Sequence, residues 1–106
     1  MKIKSMDPNQ LFEVFFDPTN NKNAHVQMGI ITLQPGEKSP QEGFARHDQD
    51  EYSFVISGEA HTVLEDGRDL IGRAGDAQLI EAGEAHKNYN NGDVPATVVW
   101  FLAERQ

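Results

Sequence analysis

No cysteine occurs in this chain of 106 residues. Disulfide frameworks, cysteine-ligated zinc and thiol nucleophiles are thereby excluded, and any metal must be held by histidine, carboxylate or amide groups. Basic residues are scarce too: nine Lys and Arg stand against seventeen Asp and Glu, a formal net charge of -8. Such a field repels phosphate backbones and anionic lipid, so neither nucleic acid nor a membrane surface is an expected partner. Long apolar runs are absent as well. The N-terminal stretch up to Phe16 carries Lys2 and Lys4 but no signal-peptide core, and no segment is apolar enough to span a bilayer, which makes the cytoplasm the expected location.

What is present suits one folded domain over residues 1–106. An apolar fraction of 38% with six Phe, two Tyr and one Trp is enough for a single core, and there is no low-complexity tract. Short segments rich in Val, Ile, Thr and aromatics read as strands at 25–33, 51–57, 60–65, 76–81 and 96–102. Turn residues such as Pro35-Gly36, Asp66-Gly67, Gly75, Gly83 and Asn91-Gly92 separate them, the rhythm of an all-β sandwich or barrel. Asp66-Gly67 and Asn91-Gly92 are type I′ signals that predict antiparallel hairpins over 59–71 and 84–102. Residues 8–16 fit a strand or a short helical turn.

Two segments share a spaced pattern of His, Glu, Gly and Asn. In the first, His47 stands four before Glu51, and Gly58 follows seven later; in the second, Gly75, Gly83, His86 and Asn90 form a ladder. Together they resemble the two signature motifs of the cupin superfamily over roughly residues 36 to 90, the second at every spacing. The resemblance implies a small double-stranded β-helix, or jelly-roll, barrel. Three departures are visible: the first His of the family's His-x-His is Ala45, the preceding Gly position falls on Ser39 or Gly36, and the Pro of the second motif is Glu81. The family's four-ligand set is thus reduced to His47, Glu51 and His86.

Elementary geometry supports that trio. On a strand, residues four apart project from one face, which would turn His47 and Glu51 into the barrel together with position 45. Two His and one carboxylate with open positions suit a divalent ion such as Fe, and Mn, Ni, Co or Zn can occupy the same set. Gln41 or Glu42 is a candidate replacement ligand, and His25 a reserve one. Gly58, Gly75 and Gly83 read as turn formers, Asn90 as a turn cap, and Met28 and Trp100 as core. Phe44 and Tyr89 are candidate lining residues, and Arg46 is expected to pair with Asp48 or Asp50.

If Glu51 faces inward, so do Ser53, Val55 and Ser57, leaving Tyr52, Phe54 and Ile56 outside. So apolar an exterior predicts a homodimer, unless Phe12, Phe15 and Phe16 cover it within one chain. The resemblance implies a metal-dependent enzyme of dioxygenase, isomerase or lyase type acting on a small-molecule substrate. A ligand-binding module without turnover and a metal-free degenerate barrel stand as alternatives.

Overall fold

The computed structural model describes Met1–Arg105 as an all-β barrel of nine strands: β1 (Phe12–Phe16), β2 (Val26–Leu33), β3 (Lys38–Ser39), β4 (Asp50–Ser57), β5 (Glu59–Leu64), β6 (Asp69–Arg73), β7 (Ala77–Ile80), β8 (His86–Tyr89) and β9 (Ala96–Ala103). They form two antiparallel sheets, ordered β1-β2-β9-β4-β7 and β3-β8-β5-β6. This is the expected jelly-roll architecture. Residues 8–16 contribute a strand and no helical turn, and among the described residues no helix is long and apolar enough to cross a membrane.

Side-chain alternation divides the interior into layers. Along β4, the inward residues are Glu51, Ser53 and Val55, opposite Leu102, Trp100 and Val98 of β9. Val55, Ala60, Ala96 and Val98 are buried together, with Ile31 packed against them, so the apolar core occupies one end of the barrel. Each fully buried Val or Leu side chain contributes about 1.5–3 kcal/mol. In the middle layer Gln78 Nε2 donates to Ser53 Oγ at 2.9 Å, and Thr62 Oγ1 donates to Asn88 Oδ1 at 2.8 Å. Glu51 stands beyond this polar layer, at the opposite end from the core.

Parity along β4 holds only as far as Val55. A bulge between Val55 and Ser57 shifts the pairing with β9 by one residue and turns Ser57 out to solvent, against the expectation. Tyr52, Phe54 and Ile56 do face outward and stay 45–52% exposed. Phe12 cannot cover them, because it pairs with Ile31 and stacks on Trp100, with centroids 5.3 Å apart.

The two turn expectations need correction. Residues 59–71 do form a hairpin, but its loop is not type I′. Gly67 N donates to Leu64 O at 2.9 Å, Leu64 N donates to Arg68 O at 2.9 Å, and Gly67 alone has positive φ (92°), which makes a three-residue loop ending on a left-handed glycine. Residues 84–102 form no hairpin at all: β8 pairs with β3 and β5 in one sheet, whereas β9 lies between β2 and β4 in the other. Asn90 carries the chain across. Only 2% exposed, it donates through Nδ2 to Leu33 O and Val94 O and accepts from Gly92 N through Oδ1, so it caps the turn as expected and also ties the turn to β2.

Candidate metal centre

His47, Glu51 and His86 converge at the end of the barrel away from the apolar core. One ligand atom from each lies within 4.8 Å of the other two. Glu51 projects inward from β4, and His86 from the first residue of β8. His47 arrives by a different route from the one strand parity suggested. It precedes β4, in a segment with no strand structure, and is held there by backbone bonds: Gly83 N donates to His47 O at 2.9 Å, and Ala45 pairs with His86 through bonds of 2.8 and 2.9 Å.

The hydrogen bonds decide which ring nitrogens are available. His47 Nδ1 is 2.8 Å from Gln49 O, and His86 Nδ1 is 2.9 Å from Glu84 O. A carbonyl can only accept, so both Nδ1 atoms carry a proton and both Nε2 atoms are turned to the centre of the site. There they face one carboxylate oxygen, with His47 Nε2 3.1 Å and His86 Nε2 3.9 Å from Glu51 Oε1. Such a group is satisfied by an N–H from a charged ring or by a cation shared between Nε2 lone pairs and the carboxylate. Two atoms each about 2.1 Å from one ion stand no more than about 4.2 Å apart, so both separations are compatible with a shared divalent ion. The donor set therefore fits a metal, and the Nδ1 contacts to carbonyls are the outer-shell support that metal-binding His needs.

Burial strengthens the arrangement. The side chains of His47, Glu51 and His86 are only 20%, 18% and 4% exposed. Next to Glu51, the Asp50 carboxyl lies below the usual carboxylate range because Arg105 and then Ala82 N–H donate to it. That bond from Ala82 fastens the loop before His86 to the start of β4.

A cavity of about 240 Å³ opens onto the three residues. Its apolar walls are Phe12, Ile31, Pro40, Trp100 and Leu102, and Ser39, Asn88 and Ala45 complete it. Ala45 lies directly across from His86. Its methyl leaves space where the family pattern has another His. Trp100 is thus a wall of the site as well as core, and Gly29 makes room for it: a Cβ there would stand 2.2 Å from the indole Cζ2. Asn88 was legible in principle, since it follows His86 by two on the same strand face.

Other candidates are placed elsewhere. Gln41 donates to Lys38 O, and neither it nor Glu42 reaches the cavity. His25 pairs with Glu104 at the surface, and His61 with Asp69. Arg46 binds Glu65 and Gly83 O rather than Asp48 or Asp50, because its side chain reaches across to the β5–β6 loop. Phe44 sits beneath Lys87 Nζ, 5.0 Å away, outside the cavity. Tyr89, opposite to Asn88 in strand parity, faces out, stacks on His61 and donates to Asp69.

A family model described as Cupin domain matches residues 29–102. No curated protein matches the chain. Among solved structures, a cupin-superfamily sugar phosphate isomerase from Silicibacter pomeroyi is similar at 26% identity and a TM-score of 0.64, over 76% of this chain and 52% of that one. A predicted oxalate decarboxylase from Thermotoga maritima is similar at 22% identity and a TM-score of 0.65, over 74% of this chain and 66% of that one. The chain therefore spans only about half of the first of these relatives and less than two thirds of the second. A cupin family protein with a double-stranded β-helix fold from Methanocaldococcus jannaschii aligns over 98% of this chain and 91% of its own, at 18% identity and a TM-score of 0.82, a likeness of fold alone.

Proposed function

The chain belongs to the cupin domain family, matched over residues 29–102, and from that footing we propose that it is a metal-binding cupin acting on a small organic molecule by metal-dependent chemistry, of the dioxygenase, isomerase or lyase type. The observation that carries the reading is the pair of imidazoles with Nδ1 bonded to carbonyls and Nε2 turned to Glu51 Oε1. His47, Glu51 and His86 would hold the ion. An ion bound there supplies Lewis-acid or redox chemistry at a substrate atom. The carbonyls of Gln49 and Glu84 keep the two rings oriented, and Ala45 leaves the adjoining space to the substrate. Phe12, Trp100 and Leu102 exclude water from one side of the cavity.

Metal per subunit, measured by plasma mass spectrometry on protein purified without an affinity tag, tests this. Near-stoichiometric Fe, Mn, Ni, Co or Zn is expected. A protein that carries none, and takes up none when each ion is added, is not the metalloprotein proposed.

One observation favours a second reading, a barrel that binds its ligand without turnover. Among the described residues, the only titratable side chains lining the cavity are those of the proposed ligands His47, Glu51 and His86, so no further His or carboxylate is placed there to move a proton. Recovery of a bound small molecule unchanged after prolonged incubation with metal-loaded protein would select that reading.

The same chain is proposed to form a homodimer through the outer face of the larger sheet. Tyr52 there pairs with Leu79 on one side and Phe101 on the other, and Phe54 pairs with Val99. Tyr52, Phe54, Ile56 and Leu79 are each 45–52% exposed, a contiguous apolar patch of the kind that marks an interaction surface. Light scattering after size exclusion is expected to give twice the 11.8 kDa chain mass. Introducing Phe54→Lys with Leu79→Lys should halve it. A native protein that elutes as a monomer at high micromolar concentration removes the proposal.

A further inference from the structure

The geometry points to a second ligand site, on the outer face of the larger sheet, for a free medium-chain carboxylate: an unbranched acyl chain with one anionic head. It is independent of the metal centre. Phe101, which lines it, alternates along β9 with Trp100 and Leu102, which line the metal-centre cavity, so the two sites lie on opposite faces of one sheet.

The groove holds about 530 Å³, within the roughly 300–1,000 Å³ of small-molecule pockets. Phe16, Val26, Met28 and Phe101 form its apolar surface. Register explains their grouping. Phe16 pairs with Met28 and Met28 with Phe101, so one outward row crosses β1, β2 and β9. Two inter-strand steps of about 4.8 Å make that row roughly 10 Å long, about the extended length of an eight-carbon acyl chain.

The wall beside the row is fixed before any ligand arrives. In the loop between β1 and β2, Asn20 donates through Nδ2 to Phe15 O at 2.9 Å and accepts from Asp17 N through Oδ1 at 2.9 Å. Asn21 donates through Nδ2 to Val26 O at 3.3 Å and accepts from Asn23 N through Oδ1 at 3.1 Å. Both amides line the groove yet direct their polar atoms to the backbone, which leaves the interior to an apolar chain and lowers the ordering cost of binding.

Charge selects the head group. Lys2 and Lys22 are exposed at the groove, in a chain of net charge -8. Among the described residues Arg46, Arg68, Arg73 and Arg105 are each paired with a carboxylate, whereas neither of these lysines is. Lys2 Nζ donates to a neutral acceptor, Asn20 O, and so keeps its charge for an anion. Asp17, next in the chain to Phe16, has its carboxylate engaged by Thr19 N and Thr19 Oγ1. An anionic head on an acyl chain complements both the ammonium groups and the apolar row.

Isothermal titration of the purified chain with sodium octanoate, sodium butanoate and octyltrimethylammonium bromide tests this. A fully buried methylene is worth about fourfold in affinity, so four half-buried ones should make octanoate bind about tenfold more tightly than butanoate. The overall charge of the chain favours the cationic amphiphile, so a preference for octanoate over it has to come from local lysines. Lys2→Glu combined with Lys22→Glu is expected to weaken octanoate about tenfold. Both positions are exposed, so the melting temperature of this variant should stay within about 3 °C of native. Butanoate or octyltrimethylammonium binding as tightly as octanoate overturns the inference, as does octanoate binding that ignores the double charge reversal, or none at millimolar concentration. Two other occupants are read from the same variant when octanoate does not respond. Lost flotation with phosphatidylglycerol vesicles assigns the groove to a membrane surface, and a halved mass in light scattering assigns it to a second copy of this chain; either result overturns the free-carboxylate site.

Discussion

Glu51→Ala is expected to weaken metal binding by more than about 100-fold, the upper range for losing merely an outer-shell partner of a ligand. Glu51 is the only carboxylate of the trio and stands 3.1 Å from His47 Nε2 and 3.9 Å from His86 Nε2, so its removal takes away both a ligand and the charge between the two rings. A thermal readout separates lost binding from lost folding. Metal at about 100 times its dissociation constant adds about 2.7 kcal/mol to the folded state. For a domain of this size that raises the melting temperature by on the order of 10 °C. The native protein should show this rise on adding zinc, and Glu51→Ala should melt at the same temperature with and without it. The conservative Glu51→Gln keeps the shape but not the charge and should behave like Ala. A zinc-dependent rise that survives in Glu51→Ala would place the ion elsewhere.

Gly58→Ala is expected to cost about 3 kcal/mol or more. Gly58 joins β4 to β5 with φ at +74°, where an L side chain is strained by about 1–2 kcal/mol. Space is lacking as well. An added Cβ would lie 2.3 Å from Pro95 O and 2.8 Å from Ala96 Cα, and these are backbone atoms that cannot swing away as a side chain could. Ala96 itself is fully buried in the core cluster with Val55 and Val98, so any shift there is transmitted to the packing. A melting temperature lower by more than about 12 °C is the expected readout. As a contrast, Gly36→Ala meets no atom within 4 Å, so it should show the strain of its positive φ alone. Equal losses at the two positions would mean that the close approach of Pro95 contributes nothing.

The turns of the second motif were legible because a turn glycine is a local feature. Gly75 and Gly83 take positive φ at turns, a property of the local chain that spacing announces, whereas His86 and Asn90 meet partners as distant as Ala45 and Leu33. The inward setting of Glu51, Ser53 and Val55 was legible for the same reason, since alternation on a strand has a period of two. It failed at Ser57, where a bulge resets the period, and nothing in the local sequence announces a bulge set by the pairing of β4 with β9. The supposed hairpin over 84–102 failed more instructively. Asn91-Gly92 was read as a local turn, yet Asn90 spends its side chain on Leu33 O and Val94 O, and the first of these partners is 57 residues away.

The sequence by itself determined the all-β class and, by lacking cysteine, the reliance of any metal on His, carboxylate or amide groups. These depend on period and composition, which need no knowledge of distant contacts, whereas His47, Glu51 and His86 were singled out by the resemblance of the two motifs. Only the tertiary structure decided that His47 reaches Glu51 from outside the strand, that Gln49 O and Glu84 O set both rings, and that Phe12 and Trp100 wall the cavity. Those facts depend on which strands become neighbours. In a sheet ordered β1-β2-β9-β4-β7, hydrogen bonding between distant segments makes that choice, and no stretch of sequence carries it alone.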